Sequence, residues 1–187
     1  MGVKSARVGN YGGTSKSMTD TAQQEWNDNI QWEKDTHEQF FLPFYKEMGW
    51  QVLADNVGTN TPWDVKLMID GKERTIDQKA LKTEKSAFVL EIIQDLKTGS
   101  LSWLYKDKDE YMYASWKSKE EFYTGNQKPL SLYRVSHGRL KKLLNAHWKE
   151  IVELGRFYVA LKGIGATLCM NLRWDYLIQE DIAKKLI

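Results

Sequence analysis

The sequence predicts an α/β or α+β domain in which helices flank a mixed central β-sheet. Three observations predict it: a helical pattern over residues 19–48, a cluster of short strand-like segments between residues 50 and 135, and a second helical pattern that begins after Ser136. This order is typical of a domain whose sheet is covered by helices. A chain of 187 residues buries about 70% of its unfolded surface, so the fold requires no disulfide or metal staple.

The composition is that of an ordinary globular protein, with 42% hydrophobic residues, 28% charged residues and a formal net charge of +2. These values exclude a chain that is disordered throughout. No apolar run approaches the ~20 residues of a membrane span, and the first residues lack the apolar centre of a signal peptide. The single cysteine, Cys169, excludes an internal disulfide framework. We therefore expect a cytoplasmic protein without a membrane partner, located in the host cytoplasm if a phage encodes it.

The first helix is predicted to follow an N-terminal arm. Residues 1–19 are rich in Gly and Ser and carry three basic residues, which predicts a flexible basic arm ahead of a single domain over residues 20–187. Within residues 19–48, large apolar residues recur at helical spacing, and Pro43 predicts a break near Leu42. The apolar stripe consists of Trp26, Ile30, Phe41, Phe44, Tyr45 and Met48.

The strand cluster is followed by a helix and a second hairpin. Short apolar segments predict strands over residues 50–54, 65–69, 73–79, 87–93, 111–116 and 130–135. Ser136 is expected to cap a helix that carries Leu140, Leu143 and Leu144. A terminal hairpin is predicted over residues 157–161 and 166–172, and a short helix over residues 180–186 closes the chain.

The hairpin over residues 65–79 has the most informative pattern. Its Asp70-Gly71 dipeptide, placed between two alternating runs, is a strong signal for a two-residue turn. Such a turn opposes Val65 to Ile76, and it opposes Asp64 to Asp77 with Cβ atoms about 5 Å apart. Lys79 then lies on the same face as the two aspartates, because side chains alternate along a strand.

This charged face has two interpretations. Directly opposed like charges destabilise a sheet, and a divalent cation held by carboxylate oxygens would compensate them. Mg²⁺ binds one or two carboxylates together with water and substrate phosphates. The alternative is a solvated surface ladder in which Lys79 pairs with Asp64 and Asp77.

The residues Pro62-Trp63-Asp64 followed by Asp77-Gln78-Lys79 resemble the signature of the PD-(D/E)xK nuclease superfamily. The segment around Glu38 and the run Gly49-Trp50 are similar to the branch that contains Holliday-junction resolvases and phage nucleases. The resemblance covers about residues 30–150. It implies a restriction-endonuclease-like fold and a metal-dependent DNA endonuclease of the phage or mobile-element recombination and repair type.

The resemblance also implies roles for individual residues. Asp64 and Asp77 would bind Mg²⁺ or Mn²⁺, the main-chain carbonyl of Gln78 would reach the same ion, and Lys79 would act on the attacking water or the scissile phosphate. Glu38 is the candidate for a further carboxylate from the first helix, because it shares a stripe with Phe41, Tyr45 and Met48. Its rival is Glu33, on a neighbouring stripe. Glu91, within an apolar strand, is either exposed at a sheet edge or directed at the site.

Basic clusters suggest where a phosphate backbone would lie. Lys82 and Lys85 follow the signature strand, and Arg139, Lys141 and Lys142 lie at the start of the later helix. Ordinary solvated side chains are the alternative for both clusters. The histidines have no spacing typical of a metal triad; they are His37, His137 and His147.

Three functions remain open on the sequence alone. They are an active DNA endonuclease, a catalytically inactive nucleic-acid-binding relative of the same fold, and a module that binds another protein through its aromatic surface. An endonuclease that cuts two antiparallel strands matches two-fold symmetry, so we expect a homodimer.

Overall fold

The computed structural model describes residues 18–59, 61–154, 156–162 and 165–187, and the chain forms a mixed α/β structure. The helices are α1 (Met18–Thr36), α2 (Leu42–Glu47), α3 (Lys119–Tyr123), α4 (His137–Ala146), α5 (Trp148–Leu154) and α6 (Trp174–Gln179). A π-helical turn, His37–Phe41, joins α1 to α2, and a 3₁₀ turn covers Trp103–Tyr105. Among the described residues, no helix is long and apolar enough to cross a membrane.

The described strands form two sheets. The first sheet contains β1 (Gln51–Asp55), β2 (Val65–Ile69), β3 (Lys72–Leu81), β6 (Glu110–Ser115), β7 (Ser131–Ser136) and β10 (Ala183–Lys185), in the order β1-β2-β3-β6-β7-β10. The second contains β4 (Ala87–Asp95), β5 (Ser100–Leu101), β8 (Arg156–Lys162) and β9 (Gly165–Arg173), in the order β5-β4-β9-β8. The first sheet is mixed, because β3 and β6 run parallel while its other pairs are antiparallel.

The hairpin of β2 and β3 has the predicted register. Val65 faces Ile76, Leu67 faces Arg74 and Ile69 faces Lys72. Asp70 and Gly71 both have positive φ angles, of 50° and 73°, which is the geometry of the tight turn that matches strand twist. The inward face of the hairpin is buried as the alternation predicts.

Apolar clusters cover both faces of the six-stranded sheet, and β6 shows how its side chains alternate between them. Met112 and Ala114 belong to the cluster under α1 and α2, whereas Tyr111 and Tyr113 pack against the second sheet. Strand alternation therefore assigns each residue of the neighbouring β3 to one of two faces. This assignment determines which side chains of β3 meet.

The N-terminal helices follow the prediction with one change of phase. Pro43 lies in the first turn of α2, so the predicted break near Leu42 is confirmed, and the π-helical turn lies directly before it. The predicted apolar stripe is wrong at its two ends, since Trp26 is 62% and Met48 46% exposed. The extra residue of the π turn rotates the helix faces relative to each other.

Two features near the termini differ from the expected boundaries. The predicted arm, residues 1–19, falls almost entirely outside the described residues, and Met18 already belongs to α1. The helix expected over residues 180–186 is wrong. The helix is α6, which ends at Gln179, and Ala183–Lys185 instead pairs with β7. Backbone pairing at the edge of the sheet overrides the helical pattern in this segment.

Candidate active site

The candidate site lies where β3 extends beyond its neighbour β2. The ladder between β2 and β3 ends at Val65 and Ile76, so one edge of the segment from Asp77 to Leu81 is not paired with β2. Side chains take over that edge. The carboxylate of Asp64 accepts the backbone N–H of Gln78 at 2.5 Å, and the indole of Trp32 donates to the carbonyl of Ala80 at 2.8 Å.

Backbone hydrogen bonds hold Asp64 at this edge, and its surroundings disfavour the charged form of its carboxyl group. Its own N–H donates to the carbonyl of Ile76 at 2.8 Å. Burial and the nearby Asp77 carboxylate raise the pKa of Asp64 to about 6, although Lys79 and the Gln78 N–H partly offset the increase. A residue in an extended strand directs its N–H and C=O to the same edge. The carbonyl of Gln78 therefore faces the edge where Asp64 lies.

Asp77 contacts two lysines. Its Oδ1 lies 2.6 Å from Nζ of Lys79, and its Oδ2 accepts a hydrogen bond from Nζ of Lys108. Burial raises the pKa of Asp77, but the charges and hydrogen bonds of the two ammonium groups outweigh burial and lower it overall. Sequence reasoning did not identify Lys108, which lies just before β6 and reaches Asp77 because β6 pairs in parallel with β3.

A cavity of about 40 Å³ opens beside Asp64 and Lys79, whereas Asp77 and Lys108 are not among the residues that line it. It has room for a small number of water molecules. Burial lowers the pKa of the Lys79 ammonium, but Asp77 and Asp64 outweigh that effect and raise it overall. The cavity is lined by Glu33, Thr36, Phe41, Val57, Asp64, Gln78, Lys79 and Ala80.

Glu33, and not Glu38, is the acidic residue of α1 that lines the cavity. The preference for Glu38 was wrong, because it extended the stripe of Phe41 and Tyr45 backwards through the π-helical turn, where the helix phase changes. Glu38 is exposed. Burial raises the pKa of the Glu33 carboxyl, and the charge of Lys79 opposes that increase.

A chain of hydrogen bonds on the side of the N-terminal helices holds the side chain of Gln78. Its side-chain amide donates to the Tyr45 hydroxyl at 2.9 Å, and its Oε1 lies 3.1 Å from Nδ1 of His37. The other ring nitrogen of His37 lies 2.8 Å from Oδ2 of Asp55. Because Gln78 points toward the helices, its neighbours Asp77 and Lys79 point to the opposite face.

The other histidines also have structural contacts. Nδ1 and Nε2 of buried His137 lie within 2.8 Å of the carbonyl oxygens of Lys108 and Leu104. His147 is exposed and pairs with Glu150.

Glu91 lies apart from the cavity. It belongs to β4 of the second sheet, where it is half-buried opposite Cys169, and its charge raises the pKa of Tyr113 and Tyr158. It is not among the residues that line the cavity. The proposal that this strand supplies a site carboxylate assumed a single sheet. Cys169 itself is buried.

The predicted phosphate-binding residues occupy different environments. Lys82 lies closest to the cavity: its ammonium donates to Asn29 at 2.7 Å and its charge acts on Glu33. Lys85 and Lys142 are exposed, and Lys141 is half-buried. Arg139 forms an ion pair with Asp181, so part of its charge is already neutralised.

The chemistry of the donors fits a hard divalent cation. The site offers the carboxylates of Asp64 and Asp77 and the carbonyl of Gln78, which are oxygen ligands of the kind that Mg²⁺ uses. Burial and, after it, the charge of Asp77 raise the pKa of Asp64, and a cation would offset both effects. Within the described residues, no group of three or more His, Cys, Asp or Glu side chains is arranged to hold a metal. Mg²⁺ usually keeps several waters as ligands, and these would complete its coordination.

Comparisons of this chain with protein-family models, curated proteins and solved structures found no match. The resemblance to the PD-(D/E)xK superfamily rests on Asp64, Asp77 and Lys79 and stays a prediction. What the structure adds is the proximity of these three residues at one strand edge.

Proposed function

We propose that the protein is a metal-dependent endonuclease that hydrolyses phosphodiester bonds in DNA, with the restriction-endonuclease-like architecture that the resemblance implies. One observation supports it most: half-buried Asp64 and Lys79 line a cavity next to the buried carboxylate of Asp77, and burial together with the charge of Asp77 raises the pKa of Asp64 to about 6. The carboxylates of a solvated surface ladder would not have their pKa raised in this way. Shifted pKa values of this kind are characteristic of functional sites.

Each residue has a role in the proposed reaction. Asp64, Asp77 and the Gln78 carbonyl hold Mg²⁺ or Mn²⁺, and the bound ion supplies Lewis-acid activation of the phosphate and the attacking water. Lys79, at 2.6 Å from Asp77, stabilises the charge that develops on the phosphate oxygens. Glu33, whose pKa is raised by burial, accepts the proton of the attacking water.

The DNA substrate and the homodimer are part of the proposal. In this proposal Lys82 binds a phosphate of the DNA backbone near the cavity, because its positive charge lies within electrostatic reach of Glu33. A catalytically inactive nucleic-acid-binding relative is the second candidate. The observation that favours it is that both oxygens of Asp77 contact lysines, which leaves this carboxylate neutralised without a metal.

The test is a cleavage assay of the full chain on linear duplex, branched and single-stranded DNA. We expect cleavage with Mg²⁺ or Mn²⁺, none with EDTA, and binding without efficient cleavage with Ca²⁺, whose coordination is larger and looser. Lys79→Ala and Asp77→Asn should each lower the rate by about 10²–10³. DNA binding, measured by fluorescence anisotropy, should decrease less than cleavage.

Matched controls come from the turn of the same hairpin. Lys72→Ala and Asp70→Asn make equivalent changes at exposed positions, and both should keep the full rate. Absence of cleavage of any nucleic acid, with DNA binding retained, would support the inactive relative. Undiminished cleavage in Lys79→Ala and Asp77→Asn would show that the site is assigned wrongly even if the protein is a nuclease.

A further inference from the structure

Lys108 is a buried cation on a carboxylate that the signature pattern already pairs with Lys79. The Lys108 side chain has no exposed surface, and its ammonium donates to Oδ2 of Asp77 while Lys79 contacts Oδ1. Each oxygen of one carboxylate therefore contacts a different ammonium group. The superfamily pattern contains only the second of these lysines, so Lys108 requires its own explanation.

The surrounding structure fixes Lys108 in this position. Its carbonyl lies 2.8 Å from Nδ1 of His137 at the start of α4. Its ammonium lies 5.0 Å from the centroid of the Tyr111 ring, within the range of a cation–π contact. The backbone of the next residue, Asp109, is bound to Thr75 of β3. Lys108 thus belongs to the rigid part of the site.

A divalent ion at Asp77 would share one carboxylate with the two ammonium groups, each of which already contacts one of its oxygens. Two ammonium groups and a dication around one buried carboxylate repel one another strongly, because the surroundings screen charge poorly. The ion can therefore bind well only if an ammonium group moves away from Asp77. Lys79 is 30% exposed and has room to move toward solvent, whereas Lys108 is enclosed.

We propose that Lys108 competes with the divalent ion for Asp77 and thereby sets the metal affinity of the site. The inference rests on the proposed function, because it assumes that Asp77 is a metal ligand. Its physical consequence is a site that binds the ion weakly alone and more tightly with substrate. Phosphate oxygens bring the negative charge that two ammonium groups and a dication together require.

The competition can be measured on the full chain without nucleic acid. Titration with Mn²⁺, followed by electron paramagnetic resonance, gives the dissociation constant of the ion. Lys108→Met removes the competing charge but keeps the length of the side chain, and we expect Mn²⁺ to bind at least tenfold more tightly. Lys106→Met, with the same change at an exposed position two residues earlier, should alter affinity less than twofold.

A second measurement observes Lys108 itself, with its charge in place. The ammonium signal of Lys108 in heteronuclear NMR spectra, assigned through Lys108→Arg, should shift or exchange faster as Mg²⁺ is added. It should stay unchanged in Asp77→Asn. A Lys108 signal that does not respond while Mg²⁺ saturates the protein would overturn the proposal, as would folded Lys108→Met with unchanged or weaker Mn²⁺ binding.

The outcomes separate this inference from the proposed function. If cleavage depends on metal but Lys108→Met binds Mn²⁺ no more tightly, Lys108 is a structural partner of Asp77 and only the competition is wrong. If neither the wild type nor Lys108→Met binds Mn²⁺, and no cleavage occurs, both proposals are wrong.

Discussion

Two buried ion clusters lie at neighbouring positions on opposite faces of the six-stranded sheet, and they are built differently. On the face covered by α1 and α2, Glu110 pairs with Arg134 of the adjacent strand through two hydrogen bonds, of 2.5 and 2.7 Å. On the other face, Asp77 contacts two lysines, and Asp64 lies close enough to be affected by its charge.

In the first cluster the acid and the base form one pair of opposite charges, and in the second cluster they do not pair one to one. One guanidinium satisfies one carboxylate in a bidentate pair, which the ring of Trp50, 5.5 Å from the guanidinium, helps to cover. In the second cluster both lysines contact the same carboxylate, Asp77, so the two acids and two bases do not form closed pairs, and a cavity adjoins Asp64 and Lys79. A closed pair has no remaining chemistry to offer, whereas an open cluster can exchange a cation or a proton.

The largest expected effect is that variants of the two clusters damage different properties, cleavage in one and stability in the other. Lys79→Ala should lower cleavage by about 10²–10³ but destabilise the fold less than Glu110→Gln does, because Lys108 still pairs with Asp77. Glu110→Gln should do the reverse and destabilise the fold by about 2–3 kcal/mol, since it leaves Arg134 without its charge partner.

Urea unfolding and single-turnover cleavage of the same preparations provide both readouts. The folded Glu110→Gln protein should cleave within a factor of three of the wild type. A large loss of cleavage in Glu110→Gln at a temperature where it is fully folded would mean that the face covered by α1 and α2 also contributes to chemistry.

The next effect concerns pH and the raised pKa of Asp64. A carboxyl group whose pKa rises from 3.8 to about 6 on folding binds protons more tightly in the folded state. Its contribution to stability is therefore present below pH 4 and is lost as the pH rises to about 6. The loss is on the order of 2–3 kcal/mol at about 1.4 kcal/mol per pKa unit.

Asp64→Asn isolates this contribution. Its free energy of unfolding minus that of the wild type should become more positive between pH 4 and pH 7, measured with urea at several pH values without added metal. Mg²⁺ should reduce the difference above pH 6, because the ion compensates the ionised carboxylate. A difference that stays constant with pH would contradict the opposed charges in the open cluster.

The smallest effect tests the support beneath the open cluster. Tyr45→Phe removes the hydroxyl that accepts the amide of Gln78 and should cost about 1 kcal/mol of stability, the usual value for one hydrogen bond. Tyr123→Phe is the matched control, because its hydroxyl bonds Asp35 at the surface and its loss should cost less. Thermal unfolding measures both; equal effects would indicate that the Gln78 chain adds no particular stability.

Local signals were sufficient to predict the hairpin but not the rest of the site. Asp70-Gly71 and the alternation of β2 determine the register within a few residues, so Asp64, Asp77 and Lys79 could be grouped from the sequence. Glu33 required knowledge of the π-helical turn between it and Phe41, and helical periodicity does not reveal a single inserted residue. The expected role of Glu38 failed for that reason.

Long-range pairing accounts for the other differences. Nothing near residue 108 indicates that β6 pairs in parallel with β3, because 28 residues and the strands β4 and β5 separate Leu81 from Glu110. The same limit applies to the second sheet. The segment with Glu91 reads as a further strand of the central sheet, but it pairs with β9, near the other end of the chain. Strand type is visible in a sequence, whereas strand partners are decided by packing.

The parallel pairing of β3 with β6 also bears on how the chain folds. Asp77 and Lys108 are 31 residues apart, and contacts that close long loops form slowly compared with a hairpin. The hairpin with Asp64, Asp77 and Lys79 is local and needs no other strand for its turn. During synthesis it can form while Lys108 and β6 are still inside the ribosome. A nascent chain thus has all three signature residues early, and it acquires the neutralised, enclosed form of Asp77 only when the central sheet assembles.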